Sequence, residues 1–379
     1  MTSLTVPRAT GAERERLRRD FVRLCEIESP SGRERAIVDA VLAGLREAGL
    51  DAGEDGTAAE TGAGAGNVVA RLAGPPGVRT IMLCAHVDTV PLDAPVEVVD
   101  EDGVFTNRNE AILGADNKAA VAMLLALARR YAAEPPPVGL ELVFTTSEEP
   151  GLRGAKALER GSLAAEFGFV FDHASPIGEL IVAAPTYYRI EARFRGKAAH
   201  AGIRPEDGRN AIVAAASALA ALRLGRIDEG TTANAGRIEG GTAANVVAER
   251  CRVELEARSL DHERAGEVVN EIVDGLTAGA SDNECDLELD VSEQLRAYRL
   301  SRSAPVVLAA WDALSGLGIE PRPIATGGGS DAHAFQARGL PCLNVANGTE
   351  RNHQPDERVT AAALETMLDV ALGIVARSA

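Results

Sequence analysis

No stretch of this chain stays apolar for the ~18 residues that crossing a bilayer requires, so a membrane-spanning helix is not expected. The opening MTSLTVPRATGAERERLRRD has no apolar core of the kind an export signal needs, and the expected location is the cytoplasm. No basic block is present either. With a formal charge of −17, the chain lacks the local positive charge that displaces counterions from nucleic acid or anionic lipid. Neither is expected as a partner. Cys25, Cys84, Cys251, Cys285 and Cys342 form no CxxC pair and no even framework. Several lie within apolar runs, which reads as reduced, buried thiols. Internal repeats are also missing.

What is present is an ordinary globular composition in a chain of 379 residues, too long for one comfortable core, so two domains are expected. Thr10 with Glu13 and Ser31 with Glu34 have the spacing of capping boxes. Each precedes apolar residues at helical intervals, Leu17, Phe21 and Leu24, then Ile37, Val41 and Leu45. TGAGAG (61–66) reads as a surface loop. NVVARLAG, TIMLCA, GLELVFTT and FGFVFD read as strands, the second apolar throughout as a central strand covered on both faces should be. NKAAVAMLLALARRYA, stopped by Pro135–Pro137, and GLRGAKAL read as helices. Strands alternating with helices predict a mostly parallel α/β sheet.

After Pro185 the pattern changes. YRIEARFRG and ERCRVELEARS alternate apolar with charged residues, so one face of each strand is wet. The order of elements is β-α-β-β-α-β, the ferredoxin-like unit. The chain therefore predicts an α/β catalytic domain of residues 1–185 and 296–379, interrupted by an α+β insertion of residues 186–295. Its closing segment reads as helix, strand, Gly-rich loop and strand, then a helix starting near Thr360.

Acidic and histidine residues recur where the buried strands end: His86 and Asp88, Asp116, Glu148 and Glu149, Asp172, and His353. Strand C-termini of an open parallel sheet converge on one edge, where ligands bind. Any one of these acids could be a helix cap or a solvated turn. Crowded together without neutralisation they would repel, and a divalent metal is the simplest remedy. Residues two apart in an extended segment share a side, so Asp88 can accept from one ring nitrogen of His86 and orient the other. Glu148 and Glu149 project differently, so one can bind metal while its neighbour faces a reacting water. Asp116, in a Gly-Ala-Asp turn at a helix start, is placed to be a rigid bridging carboxylate.

The motifs HVDTV, GADNKAA, SEEPG, the aspartate after FVF, KAAHAG, GGTAANVVAE, GGGSDAHAF and NHQPDE occur in this order over nearly the whole length. In this the chain resembles the M20 family of co-catalytic zinc peptidases and deacylases, and within it the peptidase-T-like proteins. The resemblance implies a zinc-exopeptidase-like fold with a lid that forms homodimers. It implies that Asp116 bridges two metals, with His86 and Asp172 completing one site and Glu149 and His353 the other. Glu148 matches the general base and Asp88 the acid that orients His86. His200 matches a lid histidine that stabilises the oxyanion. Asn245 and Arg258 match residues that hold the substrate's carboxylate or backbone, although Arg258 also reads as a solvated strand arginine. The chain departs from the family pattern at Asn117, where an acid is common, and at His173, where glycine is common.

Glycines 327–329, Gly328 and Gly329 included, would offer backbone N–H groups to an anionic substrate end. His173, His262 and His333 read as packing, surface or loop residues. The expected activity is two-metal hydrolysis of an amide at one end of a small peptide, with zinc favoured and cobalt or manganese as substitutes. N-acyl amino acid deacylation, non-catalytic peptide binding and a dinuclear phosphoesterase are the alternatives.

Overall fold

The computed structural model describes residues 6–379. The chain forms two compact units. One takes in the described residues up to Val182 with Arg299–Ile324 and Ser330–Ala379; the other comprises Ala183–Tyr298 and Ala325–Gly329. The short glycine-bearing segment therefore groups with the second unit, although both its flanks in sequence belong to the first.

The first unit is built on a nine-stranded sheet whose centre runs Val68–Leu72, Gly139–Thr145, Thr80–His86, Phe167–His173 and Cys342–Ala346. Val68–Leu72 is antiparallel to its neighbour. The other three contacts are parallel, so the expected mostly parallel α/β sheet is present. Gly139–Thr145 is buried throughout, and Thr80–His86 at every position but the first. Cover on both faces removes the alternation that a half-wet strand would show. Helix Ala115–Ala133 packs on Thr80–His86 and is itself walled by Gly11–Cys25, Arg35–Glu47 and Ala361–Arg377, which leaves residues 115–128 all buried.

The Thr10–Glu13 capping box forms, and Thr360 caps the final helix as expected. The second expected box does not form. Helix Arg35–Glu47 starts after Glu34 with no side-chain cap, because Ser31 and Glu34 point their oxygens elsewhere. The TGAGAG loop is also more enclosed than its composition suggests, with Ala65 and Gly66 buried. Helix Asp331–Ala337 was concealed by the glycine run before it; it buries His333, which is neither a surface nor a loop residue, and pairs it with Ser330.

The second unit has the β-α-β-β-α-β order plus an edge strand, Gly225–Asp228. Its sheet runs Gly225–Asp228, Thr231–Gly240, Arg250–Ser259, Thr186–Arg195, Asp286–Leu295, antiparallel throughout. Cys251, Val253, Leu255 and Ala257 alternate inward along one strand. With Ile190, Phe194, Val268 and Ile272 they form a separate core, under helices Ala211–Ala221 and His262–Asp282. All five cysteines are buried and free. Among the described residues no helix is long and apolar enough to cross a membrane.

Candidate active site

Parallel strands end together, and their ends deliver the polar residues of the first unit. His86 closes Thr80–His86, opposite Thr145 in register, and Glu148 and Glu149 follow Thr145 in the next turn. Asp172 lies near the end of Phe167–His173. Asp116 sits where helix Ala115–Ala133 departs from helical geometry, and its peptide bond to Asn117 is cis. His353 is carried between the short strands Thr349–Glu350 and Arg358–Thr360 at φ 64°.

These segments meet. Asp116 Oδ1 lies 3.2 Å from His86 Nε2, and its Oδ2 lies 3.2 Å from His353 Nε2. His86 Nε2 is 3.5 Å from Asp172 Oδ1, and His353 Nε2 is 3.1 Å from Glu149 Oε1. Donor atoms of His86, Glu148 and Asp172, and of His86, Asp116 and Glu149, form two clusters within 4.8 Å. Both clusters share His86.

The ring of His86 is held differently from the sequence expectation. Its Nδ1 is 3.0 Å from the main-chain oxygen of Asp88 and 3.5 Å from the carboxylate. A carbonyl can only accept, so Nδ1 carries hydrogen, which leaves Nε2 as the nitrogen a metal would take. The Asp88 carboxylate instead accepts the main-chain N–H groups of Glu148 and Glu149, at 2.9 and 3.3 Å, and the hydroxyl of Ser31 at 2.7 Å. It orients the glutamate turn as well as standing beside the imidazole.

In the metal-free protein the site is electrostatically stressed. Burial, then repulsion from Asp172, lifts the Glu148 carboxyl well above the usual range. Burial raises Asp172 to about 7 against the pull of His86. Burial also opposes charge on Asp116, but His353 and His86 outweigh it and hold its pKa low. Asp116 and Glu149 draw His353 up to about 10. Neither polar atom of the buried Asn117 amide makes a hydrogen bond. Imidazole and carboxylate donors gathered within 4.8 Å of one another fit divalent metal.

Residues 82–377 match peptidase family M20/M25/M40. The chain belongs to this family. An aminopeptidase PepT from Bacillus cereus is 35% identical, with a TM-score of 0.89 over 96% of this chain and 98% of that one. A tripeptidase from Staphylococcus aureus is 34% identical, with a TM-score of 0.91 over 96% and 97%. A Bacillus subtilis protein described as a dinuclear metal-binding peptidase of the M20 family has the same fold at 18% identity, with a TM-score of 0.75 over 97% and 98%. The resemblance to peptidase-T-like proteins seen in the motifs thus holds over almost the whole length.

In the second unit of this M20 peptidase, His200 is exposed and its Nδ1 accepts the Gly202 N–H at 3.2 Å. In the neutral ring that contact places hydrogen on Nε2, which makes Nε2 a donor. Ala201 N–H donates to the main-chain oxygen of Asn245 at 2.9 Å, so the two motif segments are adjacent. Arg258 is already engaged: it pairs with Glu256, stacks 4.3 Å from the Tyr187 ring centroid, and donates to the Gly327 carbonyl at 2.8 Å. The Gly328 N–H is likewise taken by Thr326 Oγ1 at 3.1 Å, and a Cβ on Gly329 would meet Leu295 at 2.6 Å. Close packing thus bears on Gly329 and not on its two neighbours, where a Cβ would meet nothing closer than 3.6 Å. His262 Nδ1 bonds Thr186, and His173 is half-buried beside Asp172.

Four supporting residues escaped sequence reading. Ser31 has been described. Glu357 accepts the main-chain N–H groups of Gly114 and Asp116 at 2.7 and 2.8 Å, tying the Asp116 turn to the segment of His353. Asn344 exchanges two hydrogen bonds with the backbone of Asp172. Glu34 braces the glutamate turn through Ser147. Glu357 ends the NHQPDE motif, and Asn344 interrupts an apolar strand, so both left a signal.

Proposed function

We propose that this M20 peptidase is an exopeptidase acting on small peptides in the manner of peptidase T, with two divalent ions, zinc foremost and cobalt or manganese as substitutes. The observation that carries the reading is Asp116, whose two oxygens face different imidazoles at 3.2 Å each. His86 and Asp172 would hold one ion with the first oxygen, and Glu149 and His353 the other with the second. Bound there, the ions would polarise the scissile carbonyl and acidify a water.

Glu148 is the proton carrier in this reading. Its carboxyl, raised by burial, takes a proton from the attacking water and hands it to the leaving nitrogen. Asp88 fixes where that carboxyl stands by holding its backbone amide. His200, with hydrogen on Nε2, is the proposed donor to the carbonyl oxygen as charge develops there, and Asn245 and Arg258 the residues that hold the substrate's far end, beside Gly328 and Gly329. We also infer a cytoplasmic homodimer paired through the second unit. Strand Asp286–Leu295 ends that unit's sheet with an open edge, and open edges are usually covered.

The test is a panel of di- and tripeptides and N-acyl amino acids, assayed with added zinc, cobalt or manganese. Release of a terminal residue from peptides is the expected result. Hydrolysis of acyl amino acids alone would make the protein a deacylase, and peptide binding without turnover under every metal would make it a non-catalytic binder.

A further inference from the structure

Glu34 is spaced from Ser31 as a helix cap, yet it caps nothing. Its side chain is fully buried one residue before a helix that begins without it. Oε1 accepts the Gly32 N–H at 2.9 Å and the Ser147 hydroxyl at 2.8 Å, and Oε2 accepts the Gly64 N–H at 2.5 Å. Three donors satisfy a buried carboxylate without a cation. The third is available only because residue 64 is glycine, since a Cβ there would lie 2.8 Å from the Glu34 main-chain nitrogen.

Ser147 is the unusual partner. It is buried, stands at φ 51° and immediately precedes Glu148. A non-glycine residue in the left-handed region stays there only where its surroundings hold it. The hydrogen bond from its hydroxyl to Glu34 is one such hold. Asp88 supplies the next two, through the amides of Glu148 and Glu149. The same N-terminal segment supports both acids. Ser31 Oγ donates to Asp88, Ser31 N–H donates to the Thr89 carbonyl at 3.1 Å, and Thr89 N–H donates to that of Ser29 at 3.0 Å. Residues 29–34 therefore grip 147–149 from two sides.

We propose that Glu34 is a positioning residue for Glu148, acting through the hydroxyl of Ser147. The proposal rests on the reading of Glu148 as the proton carrier. A carboxyl that must meet a water at one point and a leaving nitrogen at another tolerates little displacement, and misplacement by about 1 Å can cost ~10²-fold in rate. Glu34 sets the torsion of the residue before Glu148, and Asp88 sets the amide of Glu148 itself.

Ser147→Ala is the cleanest probe, because alanine meets the same backbone sterics and leaves Glu34 its two amide partners. The expected result is kcat lowered about tenfold or more, with KM unchanged, because the contact acts on the transition state. Metal content should stay at the parent value and the melting temperature should fall by only a few degrees for one lost hydrogen bond, too little for a merely structural role to explain a variant so impaired. Glu34→Ala, which removes the acceptor, should lower kcat in the same way, and adding Ser147→Ala to it should cost nothing further, since both remove one interaction. In a Glu148→Gln background, Ser147→Ala should cost nothing more. Parent kcat in Ser147→Ala, a matching loss in the Glu148→Gln background, or loss of bound metal would each overturn the proposal while leaving the role of Glu148 intact. Full turnover by Glu148→Gln alone would instead remove the reading on which it rests, and the proposal with it.

Discussion

On the sheet of the second unit, acids and arginines stand in compensated pairs. Arg193 reaches Glu191 at 2.5 Å and Glu288 at 3.1 Å, and Arg252 reaches Glu191 at 2.6 Å and Glu254 at 3.0 Å. At the strand ends of the first unit the cationic partners of Asp116, Glu149 and Asp172 are imidazoles, whose charge depends on protons. The residue types are alike and the chemistry is not. Fixed counter-charge on a wet face makes a soluble surface. Carboxylates gathered in a buried place with only titratable partners have the donor set of a divalent-cation site.

That contrast predicts a large effect wherever a charged residue at the strand ends of the first unit is exchanged for its amide. Glu148→Gln should retain metal and lose ~10²-fold or more in kcat, whereas Glu149→Gln should lose metal, read by elemental analysis beside turnover. Identical behaviour with metal kept in both would break the assignment. His200→Ala comes next, with a fall in kcat on the order of 10²-fold, little change in KM and unchanged metal content. Should the histidine serve a partner subunit, mixing inactive His200→Ala with inactive Glu148→Gln would restore activity; verified mixed dimers that stay inactive confine it to its own chain.

A smaller effect is expected on the stability of the metal-free protein. Asp172, raised to about 7, keeps in the folded state a proton that the unfolded chain releases near pH 4, so stability falls as pH rises across that window. His353, raised to about 10, contributes fully below about 6.5 and loses its contribution as pH climbs through 10. Both act in the same direction. Calorimetry of metal-free protein should show the melting temperature declining from pH 5 to 9, with bound zinc flattening the decline; a rise over that range would contradict the electrostatic picture. Smallest of all is Arg195→Ala on the second unit, which removes an exposed pair with Glu288 and should leave both melting temperature and turnover unchanged.

The central strands were legible because burial on both faces leaves uninterrupted apolar runs, and the second unit because burial on one face leaves alternation. The strand-end residues His86, Glu148, Glu149 and Asp172 were legible for the same reason: each punctuates a readable run. Glu34 was misread because Ser-x-x-Glu looks the same locally whether the acid turns to its own helix or to Gly64 and Ser147, and those partners leave no periodic trace. Asp88 was placed correctly, but its nearer contact with His86 is the main-chain oxygen at 3.0 Å and not the carboxylate at 3.5 Å, since spacing along a strand shows that two residues share a side and not which oxygen is used. Helix Asp331–Ala337 was hidden behind three glycines that suggested loop.

The interrupted chain also orders events in time. A ribosome completes the segment bearing Glu149 long before the one bearing His353, and the whole inserted unit lies between them. At roughly 5–20 residues per second the interval is about 10–40 s. Until it ends, Asp116 has His86 beside it but not His353, and the central sheet lacks Cys342–Ala346. A nascent chain therefore carries the proposed proton carrier without the residue that completes the cluster, and the site waits for the segment bearing His353.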